Sequence, residues 1–177
     1  MIDVKVPPPL SYDLSRNILV KEKFLDTSIC QELIDEHEEK VLKGSSSYNK
    51  GTYSKYDFPI NHSIHQKLAQ VWVEASDYFG TKVDFVEPYN IKKYSFGNFY
   101  DYHTDHFTSK LDRRLSMVVQ LSNSNDYGGG DLQVIDKSVT REIGSVIIFP
   151  SYYRHKVSQV GFGERWVLIG WAWGYYN

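Results

Sequence analysis

Hydrophobic periodicity in the first half of the chain predicts one short strand and two amphipathic helices. Residues 18–24 alternate apolar and charged side chains, a pattern typical of a half-buried strand. Candidate N-cap residues at 26–28 open a first helix, which we expect to end at Gly44. A second helix is predicted to begin at Asn61 and to end at Gly80. Its inward face is formed by apolar residues at helical spacing: Ile64, Leu68, Val71, Trp72 and Ala75.

From Val83 onward the pattern changes to short β-branched or aromatic runs separated by turn residues. The runs that predict strands are 85–94, 115–121, 132–135, 139–143, 146–149 and 166–173. Two helices followed by many short strands indicate a mainly β fold with flanking α, with a jelly-roll (double-stranded β-helix) core buttressed by the N-terminal helices. A length of 177 residues fits a single domain over 1–177, in which the proline-containing residues 1–16 form an extended N-terminal arm.

Residues 44–58 are polar and rich in Gly, Ser and Tyr, and we expect them to form a connection between the two helices. Loops carry a large share of binding and catalytic residues. Two interpretations stay open for this segment, a substrate lid and an ordinary connection. In the second helix His62 and His65 share a face at i,i+3 spacing, but without a third ligand we interpret them as solvated surface residues.

The charge balance argues against several classes of partner. With 20 basic and 22 acidic residues the net charge is −2, which provides no electrostatic attraction for nucleic acid or for an anionic membrane. The first residues lack the apolar core of a signal peptide, and no apolar run is long enough to cross a bilayer. Cys30 is the only cysteine, so an internal disulfide cannot form. We therefore expect a soluble, cytoplasmic protein with no nucleic-acid or membrane partner.

Three residues in the strand-rich half form a candidate metal site. His103 and Asp105 are two positions apart, so on an extended strand their side chains point to the same face. His155 follows the apolar run that ends at Pro150 and supplies a third ligand from a distant part of the chain. Two histidines and one carboxylate form the facial ligand set that favours non-haem Fe(II) and leaves positions open for substrates. His106 is an alternative ligand, but adjacent strand residues point to opposite faces, so it cannot easily join Asp105.

The spacing of these residues resembles the motif of the prolyl 4-hydroxylase-like 2-oxoglutarate/Fe(II) dioxygenases. That motif has a Tyr, a second Tyr six positions later, a His-x-Asp that begins three positions after it, and a distal His followed ten positions on by a basic residue. The residues that match it are Tyr94, Tyr100, His103, Asp105, His155 and Arg165. The resemblance extends over roughly residues 20–174.

The resemblance implies an Fe(II)- and 2-oxoglutarate-dependent dioxygenase that uses O₂ to hydroxylate a C–H bond and converts 2-oxoglutarate to succinate, with ascorbate as an optional cofactor. No catalytic residues beyond the metal ligands are implied. Arg165 would bind the distal carboxylate of 2-oxoglutarate, since a guanidinium binds a carboxylate bidentately and keeps its charge. Tyr94 would donate a hydrogen bond to the same carboxylate, and Gln120 stands where relatives often have a Tyr that reaches this cosubstrate. The positions that resemble the substrate side of the iron are Tyr100, Arg113 and Trp171.

Three positions depart from the family pattern. Val167 stands where many relatives have Ser or Thr, which removes one hydrogen bond to the cosubstrate. Gln120 replaces the Tyr, and Gln159 replaces a proline that often follows the distal His. None of these changes removes a metal ligand, so activity is expected with an altered cosubstrate pocket.

For the substrate, the resemblance favours a prolyl residue in a peptide or protein, and a family loop in the region of residues 44–58 folds over such a substrate. A free amino acid or another small metabolite is the alternative. An open groove would favour the peptide, and a closed cavity the small molecule. Nucleic-acid demethylases with similar chemistry usually carry a second arginine six residues after the first, where this chain has Trp171. A jelly-roll binding module with an incidental metal site is the non-enzyme alternative, which the complete ligand set and Arg165 disfavour.

Overall fold

The computed structural model describes residues 18–43, 45–48 and 51–175. The elements in this part of the chain are β1 (Leu19–Lys21), α1 (Thr27–Lys43), β2 (Ser45–Tyr48), β3 (Gly51–Asp57), α2 (Ile64–Phe79), β4 (Phe85–Val86), β5 (Asn90–Tyr94), β6 (Phe99–His103), β7 (Leu111–Gln120), β8 (Tyr127–Gly129), β9 (Leu132–Val134), β10 (Lys137–Ser138), β11 (Val146–Pro150), β12 (His155–Val157), β13 (Val160–Gly163) and β14 (Arg165–Tyr175). The arm predicted at residues 1–16 lies outside the described residues, and the single domain over 1–177 stays a prediction.

The two helices follow the predicted apolar pattern. α2 begins at Ile64, three residues later than predicted, because residues 59–63 form turns before it, and it ends at Gly80 as predicted. All five of its predicted inward residues are buried. α1 begins within the predicted N-cap cluster and buries Cys30 and Leu33 against the same core. In the described part of the chain neither helix is long and apolar enough to cross a membrane.

Twelve strands form one antiparallel sheet in the hydrogen-bonded order β1-β11-β7-β14-β5-β3-β6-β12-β9-β10, with β2 paired to β3 and β4 to β14, while β13 and β8 form a separate pair. Along the central strands the side chains alternate between two cores, because successive strand residues point to opposite faces. In β14, Trp166 and Leu168 pack with the helices, whereas Val167 and Trp171 belong to a second core that includes residues of β9, β11 and β12. The predicted mainly β fold with helices packed on one side is confirmed.

The prediction of a polar connection at residues 44–58 is wrong for most of its length. Residues 45–48 and 51–57 form the antiparallel pair β2 and β3, and β3 also pairs with β5 and β6. Tyr53 is buried in the second core, and Tyr56 packs on the core that contains the helices. Pairing with two further strands determines the backbone of β3, so the polar composition of this segment does not decide its structure.

Strand prediction succeeds for four of the six predicted runs, namely 115–121, 132–135, 146–149 and 166–173. The predicted strand at 85–94 divides into β4 and β5 around Pro88, since proline cannot donate to a strand ladder. No strand forms at 139–143, and the two-residue β10 lies just before that range. None of the strands β6, β8, β12 and β13 was among the predicted apolar runs, although an extended strand was expected at His103. Each has only three to five residues, too few for a two-residue periodicity to be recognised.

Candidate metal centre and cosubstrate pocket

Strand pairing brings the two candidate histidines together. His103 is the last residue of β6, His155 is the first residue of β12, and the two are paired in the antiparallel register. Their ring centroids lie 4.1 Å apart. Asp105 is not on the strand, contrary to the prediction. It follows β6 in a bend, where its backbone N–H donates to the carbonyl of Ser151 at 2.8 Å. The three side chains therefore meet because of the β6–β12 pairing and this bend, not because of strand alternation.

The three side chains direct one ligand atom each towards a common point. Asp105 Oδ1 lies 3.6 Å from His103 Nε2, and Asp105 Oδ2 lies 3.5 Å from His155 Nε2. All three ligand atoms lie within 4.8 Å of one another, and no other such cluster occurs in the described part of the chain. Ligands that bind one ion at bond lengths of about 2 Å lie about 3–4 Å apart. Two imidazoles and one carboxylate at this spacing fit a single Fe(II) ion.

Backbone carbonyls orient both imidazole rings. His103 Nδ1 lies 2.8 Å from the carbonyl oxygen of Asp101, and His155 Nδ1 lies 2.9 Å from that of Tyr153. A carbonyl oxygen only accepts, so each Nδ1 carries the proton. Each Nε2 is then left with a lone pair that points to the site.

Two hydrogen bonds fix the orientation of the Asp105 carboxylate. Ser116 Oγ donates to Oδ2 at 2.6 Å, and Trp171 Nε1 donates to the same oxygen at 2.9 Å. The Ser116 hydroxyl also lies 2.9 Å from the hydroxyl of Ser151, which connects it to the backbone partner of Asp105. The carboxylate thus has the supporting contacts that a metal ligand usually has.

The protonation states of two of the candidate ligands suit a metal. Burial, reinforced by the neighbouring His155, lowers the pKa of His103 to about 4, so its ring is neutral at physiological pH. Burial alone would raise the pKa of Asp105, but the two histidines and the bonds from Ser116 and Trp171 outweigh it and hold that pKa below its usual range. A metal ion would therefore meet a neutral imidazole and an ionised carboxylate, without displacing a proton from either.

Arg165 is a buried cation with unused hydrogen-bond donors. It begins β14, is 1% exposed, and pairs in register with Tyr94 of β5. Its Nη2 donates to Gln120 Oε1 at 3.0 Å, whereas Nε and Nη1 have no hydrogen-bond partner in the described part of the chain. Burial lowers the pKa of Arg165, but a guanidinium stays charged in proteins. Buried donors without partners are costly, so this group fits an anion such as the distal carboxylate of 2-oxoglutarate.

Three residues position the Arg165 side chain. Gln120 holds it from one side while its own amide donates to the carbonyl of Thr140 at 3.0 Å, and Gln120 does not line the pocket. The buried phenol of Tyr127 favours the charged guanidinium. Gly130 has φ +65°, and a Cβ there would lie only 3.1 Å from Arg165 Cδ. The glycine therefore leaves room for the arginine stem.

The other end of the pocket is aromatic. Tyr100 and Trp171 line it, and the Tyr100 ring lies 3.9 Å from the His103 ring. Arg113 does not line the pocket. Its guanidinium stacks on the Trp171 ring at 3.8 Å and forms a bidentate ion pair with Glu87 at 2.6 and 2.8 Å. Arg113 thus contacts the pocket lining through Trp171.

A known family matches the region that contains this pocket. The model of the 2OG-Fe(II) oxygenase superfamily matches residues 89–173, which include all three candidate ligands and Arg165. Residues 89–173 of this chain therefore resemble the 2OG-Fe(II) oxygenase superfamily. The resemblance seen in the sequence is therefore confirmed, and Fe(II), 2-oxoglutarate and O₂ are the cofactors that this family implies.

Curated proteins similar to this chain are PKHD-type hydroxylases. One from Prochlorococcus marinus strain MIT 9515 is 38% identical over 81 residues, which are 43% of this chain and 37% of that protein. A match to the protein from Idiomarina loihiensis is 33% identical over 87 residues and covers 46% of this chain and 40% of the relative. The matches thus span well under half the length of these relatives.

Solved structures of 2OG-Fe(II) oxygenases share the fold. A prolyl-4-hydroxylase of Pseudomonas putida aligns with a TM-score of 0.74 at 22% identity, over 90% of this chain and 94% of that one. A prolyl hydroxylase of Trichoplax adhaerens, in complex with a peptide fragment of hypoxia inducible factor, aligns with a TM-score of 0.68 at 15% identity, over 90% and 84% of the two chains. The predicted double-stranded β-helix is confirmed.

In this chain, seven of the nine predicted site residues line one pocket: Tyr94, Tyr100, His103, Asp105, His155, Arg165 and Trp171. Gln120 and Arg113 do not line the pocket; Gln120 contacts Arg165, and Arg113 contacts Trp171. Val167 also lines the pocket, whereas Gln159 bonds to the carbonyl of Gly97 at 3.2 Å. The roles of all nine residues stay predictions.

Three residues of the site were missed in the sequence: Lys92, Ser116 and Tyr127. Lys92 is two positions before Tyr94 on the same strand face, so the alternation of β5 could have identified it. No sequence signal marks Ser116 or Tyr127. The prediction that His62 and His65 are merely solvated is also incomplete. His62 Nε2 lies 3.1 Å from Glu36 Oε2, and the ring of His65 packs on that of Tyr89.

Proposed function

We propose that the chain is an Fe(II)- and 2-oxoglutarate-dependent dioxygenase in which His103, Asp105 and His155 hold the metal and Arg165 holds the distal carboxylate of 2-oxoglutarate. The observation that carries this proposal is that one pocket contains both sites: three converging ligand atoms, and a buried guanidinium with two unused donors. Buried charges without partners destabilise a protein. The presence of both sites in one pocket therefore favours a ligand-binding role.

When bound, Fe(II) and 2-oxoglutarate would enable O₂ to oxidise an unactivated C–H bond, with release of CO₂ and succinate. The residues of this chain would bind and orient the metal and the cosubstrate. The two imidazoles present unprotonated Nε2 atoms because their Nδ1 protons are donated to carbonyls. Arg165 provides the charge that the distal carboxylate needs, and the phenol of Tyr94 lies on the same side of the pocket. Leu132 and Phe149 add apolar lining that limits access of water.

We infer that the substrate is a prolyl residue of a peptide or protein, bound on the Tyr100 and Trp171 side of the metal site. Two solved structures with this fold are described as prolyl hydroxylases, and one of them is in complex with a peptide fragment. In this chain Tyr100 and Val157 line both the pocket and an adjoining surface groove along β6 and β12. An open groove next to the metal suits an extended chain better than a small molecule.

The test has a binding stage and a turnover stage. Calorimetry under anaerobic conditions measures the binding of Fe(II) and then of 2-oxoglutarate. Succinate formation is then measured with proline-rich peptides, free proline and other amino acids, followed by mass spectrometry. We expect peptide-stimulated turnover and one added oxygen atom on proline. Stimulation by a free amino acid alone would replace the prolyl-peptide proposal with the small-molecule alternative.

Two variants test the metal site and the 2-oxoglutarate site independently. Asp105→Ala should lose both metal and turnover. Arg165→Met should keep the metal but weaken 2-oxoglutarate binding by several kcal/mol, on the order of 2–5, as expected when one partner of a buried charge pair is removed. Unchanged 2-oxoglutarate affinity in Arg165→Met would contradict the assignment of the cosubstrate site.

A further inference from the structure

Lys92 is a buried cation in the pocket that the proposed reaction does not use. It lies in the middle of β5, on the same face as Tyr94, and is 6% exposed. Its ammonium lies 4.3 Å from the ring centroid of Tyr53, 5.3 Å from that of Tyr100 and 5.8 Å from that of Trp171. Aromatic faces attract a cation by about 0.5–2 kcal/mol, but they do not replace the hydrogen bonds that an ammonium makes in water.

No carboxylate of the described part of the chain pairs with this ammonium. Asp105 is held by Ser116 and Trp171 and faces the two histidines, so it is engaged at the metal site. Glu87 forms its bidentate pair with Arg113. Burial lowers the pKa of Lys92 to about 8, which still leaves the side chain mostly protonated at neutral pH. The pocket therefore contains a charged donor that forms no ion pair with a carboxylate of the described residues.

We propose that Lys92 binds a carboxylate of the substrate and thereby selects substrates that carry a negative charge near the carbon to be hydroxylated. This inference rests on the proposed function, because the metal site defines where the substrate lies. Fe(II), Asp105, Arg165 and Lys92 together carry three positive charges, and 2-oxoglutarate neutralises two of them. One positive charge remains in a buried pocket, and a substrate carboxylate would pair with it.

The position of the ammonium indicates the substrate rather than the cosubstrate. The Arg165 guanidinium lies 5.5 Å from the Tyr94 ring, at the start of β14. Lys92 pairs in register with Val167, two residues after Arg165, but its ammonium lies 5.8 Å from the ring of Trp171, which is six residues after Arg165 on β14. Trp171 donates to the carboxylate of Asp105, so Lys92 approaches the metal site from the side assigned to the substrate.

Matched ligand pairs test this role without turnover. The protein is loaded with Mn(II) and 2-oxoglutarate under anaerobic conditions and titrated calorimetrically with N-acetylproline and with N-acetylprolinamide. A second pair, acetyl-Pro-Glu-amide and acetyl-Pro-Gln-amide, places the carboxylate on a peptide side chain. We expect the acid of at least one pair to bind about tenfold more tightly than its amide, the gain of one charge-assisted hydrogen bond. The pair that shows the preference tells whether the carboxylate belongs to a free α-carboxyl group or to an acidic side chain.

Two variants assign the preference to one residue. Lys92→Met should reduce it to less than about threefold, whereas Lys92→Arg should retain part of it. The matched control is Lys93→Met: Lys93 is the next residue, equally buried, but on the opposite face and ion-paired with Glu164 at 2.5 Å. Its replacement should leave the preference unchanged.

Three results would overturn the inference. Equal affinity of acids and amides for the wild-type complex would refute it while leaving the dioxygenase proposal intact. If Lys92→Met weakens 2-oxoglutarate as strongly as Arg165→Met does, the lysine serves the cosubstrate. If the wild-type protein binds neither Mn(II) nor 2-oxoglutarate, the proposed function itself fails, and the inference with it.

Discussion

Replacing Lys92 by methionine should stabilise the metal-free protein at neutral pH, although it removes a charge from the pocket. Burial lowers the pKa of Lys92 from 10.5 to about 8. The unfolded chain has the ordinary value, and a difference of about 2.5 in pKa corresponds to about 3 kcal/mol of destabilisation by the charged form. The contacts of the ammonium with aromatic rings offset about 0.5–2 kcal/mol of this destabilisation. Since methionine fills a similar volume without a charge, we expect the free energy of unfolding to rise by about 1–3 kcal/mol.

The direction of the pKa shift also determines how the effect depends on pH. Because the folded pKa lies below the unfolded one, the unfolded chain binds more protons between about pH 8 and pH 10.5, and the wild-type protein gains stability as pH rises through that window. The stabilisation of Lys92→Met relative to the wild type is therefore complete below pH 8 and disappears near pH 10.5. After burial, the charges that act on Lys92 are those of Asp105 and Asp57, which raise its pKa, and of Lys55 and Arg113, which lower it.

The assay is urea unfolding of the chelator-treated protein at pH 7 and at about pH 10, for the wild type, Lys92→Met and Lys93→Met. Lys93→Met removes the ion pair with Glu164 and should give no stabilisation at either pH. The reasoning is refuted if Lys92→Met is no more stable than the wild type at pH 7. It is also refuted if the stabilisation is equally large at both pH values, since the effect would then not come from a buried charge.

Two further substitutions test the packing around the site. Ser116→Ala removes a hydrogen bond to the Asp105 carboxylate, and metal affinity, measured by competition with a chelator, should fall by about 10–100-fold; an unchanged affinity would mean that this bond does not orient the ligand. Gly170→Ala would place a Cβ 2.4 Å from the ring of Tyr89 and should lower the free energy of unfolding by about 1–3 kcal/mol. The control is Gly161→Ala, whose added Cβ would have no contact closer than 3.7 Å, so equal losses in the two variants would contradict the steric explanation.

The fold could be predicted from the sequence where a pattern is long and local. The inward face of α2 repeats over about three turns, and each of its predicted residues is buried. β3 could not be predicted in this way. Its residues are polar, glycine-containing and rich in tyrosine, and they become a strand because β5 and β6 offer backbone partners on both sides. Such pairing depends on parts of the chain that are about 35 or more residues apart, which composition alone does not reveal.

The candidate metal ligands could be predicted because the chemistry limits the choice of residue types, although the reason for their convergence was wrong. An extended strand was expected to carry both His103 and Asp105, whereas the structure ends β6 at His103 and directs Asp105 into the site through a bend. The contact between the histidines comes from the register of β6 with β12, and β12 has only three residues. A motif can therefore identify residues that converge while their geometry is decided by pairings that the motif does not contain.

The two neighbouring lysines of β5 show why the cation in the pocket could not be recognised in the sequence. Lys92 and Lys93 stand in a strand whose five residues are all buried, since β5 lies between β14 and β3 and both of its faces are covered. In a sequence, two adjacent lysines indicate a solvated segment, because the burial of either charge is costly. The structure offsets that cost for Lys93 with the carboxylate of Glu164. For Lys92 the described part of the chain provides aromatic rings but no ion pair, beside a candidate metal ligand and inside a pocket. A buried lysine that forms an ion pair with a neighbouring carboxylate needs no further explanation, whereas one that faces a pocket without such a pair implies that a ligand provides the anion.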